Sequence, residues 1–132
     1  MTANAKLDLP TNFRSIRLEL AREPGHPEGS SHIGYTVIAP LDKEGRLDVE
    51  TAREYKHECR VVRFHAGREL EEGYLRRRPG GSWAFHYDFD DGDEDDDPAY
   101  RLGEHRFVGG EYVTIQEDEG EHTYRVISAE PL

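Results

Sequence analysis

Glu72-Gly73-Tyr74-Leu75-Arg76-Arg77-Arg78-Pro79-Gly80-Gly81-Ser82-Trp83-Ala84-Phe85-His86-Tyr87-Asp88-Phe89 is the stretch that decides the fold class. Two runs rich in aromatic and alternating residues flank Pro79-Gly80-Gly81, which marks a β-hairpin turn. If Arg78 closes the loop opposite Ser82, Leu75 faces Phe85, Arg77 faces Trp83 and Gly73 faces Tyr87. Trp83, Phe85, Tyr87 and Phe89 then share one face of the return strand, with Ala84, His86 and Asp88 on the other. The aromatic row is predicted to turn toward the core.

The same period of two recurs on both sides of this hairpin. Ile16, Leu18 and Leu20 alternate with charged residues, and Ile33, Tyr35, Val37 and Ala39 follow after a loop, Glu23 to Ser31, that holds two Pro and two Gly. These two strands form a hairpin with a long connection, and Pro40 ends the second strand or places it at a sheet edge. Asp42 to Gly45 reads as a turn, and Asp48 caps a short helix that places Val49 and Ala52 on one side. Cys59 to His65, with Val61, Val62 and Phe64, reads as a buried strand. At the C-terminal end, Glu111 to Glu117 and His122 to Ser128 form a second hairpin. Pairing Glu117 with His122 sets Ile115 against Tyr124 and Val113 against Val126. Gly109-Gly110 marks a bulge or tight bend where the sheet turns a corner. The expectation is a mainly β chain: a small antiparallel barrel or roll of about six or seven strands with one short helix. Residues 1–12 are read as a flexible segment, 13–132 as one β-rich domain, and 88–98 as an acidic loop projecting from it.

Composition narrows the chemistry. The chain has 132 residues, near the usual size of one domain, and a single Cys, which excludes an internal disulfide and a Cys-paired zinc knuckle and suits a reducing compartment. No stretch approaches a membrane span or a signal peptide, so the reading is soluble and cytoplasmic with no membrane partner. The net charge is -11, and residues 67–132 hold 18 acids against 7 bases, eight of the acids lying between Asp88 and Asp97. Such a field repels nucleic-acid phosphates and attracts basic partners or cations.

Several motifs carry a chemical reading and a plain structural one. The acidic run offers hard oxygen ligands for Ca²⁺ or Mg²⁺, with Asp88, Asp90, Asp91 and His86 as candidate metal ligands. It misses the helical calcium-loop pattern, because with Gly92 at the glycine position the acidic sites fall on Tyr87 and Phe89 and the closing Glu on Pro98. A solvated connection explains the same composition. His57-Glu58-Cys59 has no specific metal spacing, and a lone Cys usually serves as a small buried apolar group. His86 and Asp88 share a strand face as an acid-base pair would, and as ordinary neighbouring polar residues do. Gly80-Gly81-Ser82-Trp83-Ala84 looks like a nucleophile elbow, but no helix follows the Ser. Arg76, Arg77 and Arg78 form the basic cluster, and with Trp83 across the hairpin they are the candidate binding residues. They would stack a ligand or a nucleic-acid base, anchor a protein partner, or cover aromatic carbon with Arg stems. No P-loop or dinucleotide glycine pattern occurs, and no catalytic set is identified.

Phe13-Arg14-Ser15-Ile16-Arg17-Leu18-Glu19-Leu20-Ala21-Arg22, Pro79-Gly80-Gly81-Ser82-Trp83, Tyr100-Arg101-Leu102-Gly103-Glu104-His105-Arg106-Phe107 and Gly110-Glu111-Tyr112-Val113 resemble segments of an uncharacterised family of small bacterial proteins. The resemblance spans most of the chain and implies no activity, ligand or site residue. The functional expectation is a non-enzymatic cytoplasmic binding or adaptor module whose acidic surface meets a basic protein. The alternative is a divalent-cation-dependent protein or enzyme using the acidic loop and His86.

Overall fold

Alternation of apolar and charged side chains over Ile16–Leu20 leaves this segment one dry face and one wet face, which an extended backbone in a curled sheet satisfies. In the computed structural model it lies in β1 (Phe13–Leu20). The structure describes residues 9–66, 68–77, 83–87, 97–99, 105–117 and 120–132. After β1 come β2 (Ser30–Pro40), the helix α1 (Val49–Glu54), a 3₁₀ turn (Lys56–Glu58), β3 (Arg60–His65) and β4 (Arg68–Arg77). β5 (Trp83–Tyr87), β6 (Asp97–Ala99), β7 (Tyr112–Glu117) and β8 (Gly120–Pro131) complete the chain.

Each strand pairs antiparallel with the next, and β8 returns to pair with β1, so the sheet curls into a barrel. Seven strands are substantial. The three-residue β6 is the eighth and starts at Asp97, inside the stretch read as a loop. It joins β7 through the single pair Ala99↔Ile115, and forms the thinnest seam of the barrel.

The β4–β5 hairpin has the register read from the sequence, with Leu75↔Phe85, Arg77↔Trp83 and Gly73↔Tyr87. The β7–β8 hairpin does not. Glu117 pairs with Gly120, so Ile115 stands opposite His122 and Val113 opposite Tyr124. The connection is shorter than the four residues expected because Gly120 adopts φ 130, which admits a tighter closure. A slip of two residues leaves every side chain on its expected face.

Ile16, Leu18, Tyr35, Val37, Phe85, Val113, Ile115, Tyr124 and Val126 fill the interior, and Trp83 lies at its edge with 6% exposure. Gly34 is required where β2 crosses β1, since a Cβ there would lie 1.9 Å from the Leu18 carbonyl oxygen and 2.9 Å from the Phe64 ring. On that outer face the Arg17 guanidinium sits 4.4 Å from the centroid of Phe64.

At the end where β1 begins and β2 finishes, α1 follows from an Asp48 N-cap. Asp48 Oδ1 accepts from the Thr51 amide at 3.2 Å and Oδ2 from the Thr51 hydroxyl at 2.7 Å. Asn12 Nδ2 donates to Asp48 Oδ2 and to the Leu41 carbonyl, so the close of the N-terminal segment is tied to the helix start. Phe13 meets the edge of Tyr55 at 6.0 Å, and Ala52, Leu41, Leu47 and Phe107 join the same apolar cluster.

Candidate functional site

The β4–β5 hairpin, α1 and the 3₁₀ turn enclose a groove of about 780 Å³ at the apolar end of the barrel. Arg76 and Trp83, two of the residues singled out in the sequence, both line it. The helix adds Arg53 between Glu50 and Glu54, and the turn adds Lys56 and His57. Trp83 belongs to the core, so its ring forms part of the floor and the charged groups form the rim. Three Arg or Lys side chains against two carboxylates make this groove locally basic, on a chain whose net charge is -11. Arg77 stands opposite Trp83 in the strand register, and Arg78 lies outside the described residues.

The face of β5 read as opposite to the core is buried as well: Ala84 is 0% exposed and His86 6%. Tyr74 presents a T-shaped ring contact to His86 at 5.2 Å. Arg76 Nη1 lies 3.0 Å from His86 Nδ1. A guanidinium always donates, so Nδ1 accepts and the ring proton sits on Nε2. A cation approaching Nδ1 would meet the Arg76 charge. Asp88, Asp90 and Asp91, the carboxylates proposed to share a metal with His86, lie outside the described residues. Among the described residues no group of three His, Cys, Asp or Glu side chains is placed to hold a metal ion.

His57 and Cys59 do not share a face, because the 3₁₀ turn exposes His57 and buries Cys59. The thiol points at the carbonyls of Tyr55 (3.5 Å) and Ala52 (3.9 Å). Burial, reinforced by the nearby Glu58 charge, pushes it up to about 12, so it stays protonated and unreactive at neutral pH.

The opposite end of the barrel holds a polar cluster that the sequence reading missed. β7 turns Val113, Ile115 and Glu117 inward in succession, so a carboxylate follows two aliphatic groups into the interior. The Glu117 side chain is only 2% exposed. Its Oε2 accepts from the hydroxyls of Tyr35 and Tyr124, each at 2.5 Å. Its Oε1 faces Arg63 Nη2 at 3.3 Å and His122 Nε2 at 4.0 Å. Arg63 also reaches Glu71 on β4 at 3.2 Å, and His122 Nδ1 reaches Glu23 of the β1–β2 connection at 2.8 Å. Burial first, then the Glu117 hydrogen bond and charge, push the Tyr124 hydroxyl far above its ordinary range. The clue in the sequence was the phenols. Tyr35 and Tyr124 fall at inward positions, and a buried hydroxyl needs a partner.

Comparison of the chain with known protein families, with curated proteins and with solved structures finds no match. Among the described residues no helix is long and apolar enough to cross a membrane.

Proposed function

We propose that this chain is a non-enzymatic binding module of the bacterial cytoplasm, a member of the uncharacterised family its segments resemble, anchoring a protein partner of basic or mixed charge. The groove between α1 and the β4–β5 hairpin carries this reading, because elements far apart in sequence bring Arg53, Lys56, Arg76 and Trp83 to one concavity. Arg and Trp beside apolar carbon are the side chains that dominate protein interfaces when water is excluded around them. The acidic excess supplies the long-range part. It draws a basic surface toward the molecule, and the locally basic groove then selects the segment of that partner bearing a carboxylate or an aromatic ring.

The test places a photo-reactive residue at Glu54, on the groove rim, and captures partners from bacterial lysate at low and high salt. Cross-linking to a defined partner at low salt is expected, with loss at high salt and loss in the Arg53→Glu, Lys56→Glu double variant. A partner captured equally at both salt concentrations and by the double variant would contradict the reading.

A further inference from the structure

Glu23 and His26 form a closed turn within the β1–β2 connection, each amide donating to the other's carbonyl at 3.0 and 2.8 Å. This turn is fastened to the barrel at two points. The Ala21 amide donates to the Thr123 carbonyl at 2.9 Å, and the Glu23 carboxylate meets His122 Nδ1 at 2.8 Å. His122 therefore stands between two carboxylates, with Glu23 on one ring nitrogen and the buried Glu117 4.0 Å from the other. On its far side Glu23 offers Oε2 to His26 Nδ1 at 3.7 Å, a buried nitrogen with no hydrogen-bond partner.

We propose that His122 is a pH-sensitive latch that fastens the β1–β2 connection to the Glu117 end of the barrel. An imidazolium has two N–H donors and a positive charge, and so serves Glu23 and Glu117 together. A neutral ring can keep its one proton on Nδ1, still donating to Glu23, but it removes the cation from between the two carboxylates, so the charge-assisted contact weakens to a neutral one while Glu23 and Glu117 repel. Glu117 keeps its other partners, Tyr35, Tyr124 and Arg63, and Arg63 is itself steadied by Glu71. Glu23 has no such set, so its contact with His122 is the one that loosens when the charge is lost. The latch is closed while His122 is protonated and opens as pH rises through its titration.

The consequence reaches a surface cleft beside the fastened connection. Ala21, Arg22, Glu28 and Gly29 of the fastened connection wall a space of about 840 Å³ against Tyr112 and Arg125 of the barrel. Opening the latch frees that wall and changes the shape of the cleft.

NMR of the whole chain tests this, by titrating the His122 and His26 ring signals beside the backbone amides of residues 21–29 and the hydrogen exchange of the Ala21 amide. The loop amides should move with the midpoint of the His122 ring, with loss of Ala21 protection above it beyond the intrinsic base-catalysed rise. That transition should vanish in His122→Gln and survive in His26→Gln. A loop that stays still while His122 titrates, or that follows the His26 midpoint and is lost in His26→Gln, would overturn the proposal. Should His122→Gln fail to fold, the wild-type midpoints and the His26→Gln variant decide by themselves.

Discussion

At the end of the barrel where β1 begins, α1 and the 3₁₀ turn lay apolar groups over the core, with Tyr55 edge-on to Phe13 and Ala52 beside Cys59. At the other end, Glu117 draws two phenols and a guanidinium inward, and strands β2, β3, β7 and β8 meet through one carboxylate. The first closure draws on non-directional burial, roughly 1.5–3 kcal/mol for each large side chain removed from water. The second is directional. Its members must all be present and in the right protonation state, because a half-satisfied buried network is worse than an apolar one. The apolar end should therefore tolerate reshaping and changes of pH, while the polar end should tolerate neither.

The largest expected effect comes from removing the centre of the polar end. Glu117→Ala strips this acceptor from Tyr35 and Tyr124 and removes the buried carboxylate that faces Arg63, a loss of about 3 kcal/mol on the scale of broken buried pairs. Glu117→Gln keeps an acceptor oxygen of the same shape and should lose clearly less. Urea unfolding of the three proteins measures both. Equal stability of wild type and Glu117→Ala would mean that the phenols find water instead, and the contrast between the two ends would dissolve.

A middle-sized effect separates the ends by alkali. The folded chain holds the Tyr124 proton more tightly than the unfolded chain, in which a phenol ionises near about 10. Stability from this source is thus fully present below that value and is lost as pH climbs above it. Near-ultraviolet difference titration should show one phenol that ionises only together with unfolding, and Tyr124→Phe should remove that step. A Tyr124 that ionises reversibly in the folded protein would show the polar end to be open to water.

What the sequence made legible follows from the same contrast. Period-two patterning exposed the strands, and turn residues placed the β4–β5 register correctly, because both signals are local. The β7–β8 slip came from a property of Gly120 that composition does not display, its freedom to take φ 130. The groove was half visible. Arg76 and Trp83 lie one register step apart on the paired strands of one hairpin, but Arg53 and Lys56 arrive by a tertiary contact that no spacing encodes. Glu117 was hidden for a different reason. Preceding Asp118-Glu119, it reads as the start of an acidic turn, and only closure of the barrel brings it to Tyr35, 82 positions away. His86 carried the opposite error, being read as solvent-facing from strand alternation although the Tyr74 ring and the Arg76 guanidinium lie against it.

The smallest effect belongs to the apolar end, where the polar contribution is a helix cap. Asp48 satisfies the Thr51 amide and hydroxyl and receives Asn12, and these contacts, the Thr51 hydroxyl foremost, hold its carboxyl below the usual range against a smaller opposing effect of burial. The carboxylate form is thus the one the folded state prefers. Its contribution is complete above the unfolded carboxyl value of about 3.9 and fades as pH falls through the lower folded one. Asp48→Ala should cost about 1 kcal/mol at neutral pH, the ordinary scale of an N-cap, and almost nothing in acid, where the wild-type side chain is itself protonated. Asp48→Asn keeps an acceptor oxygen, so it should lose less than the Ala variant and flatten the acid dependence. If Asp48→Ala instead unfolds the chain as severely as Glu117→Ala, the short helix is holding the whole apolar end in place, and packing alone does not close it.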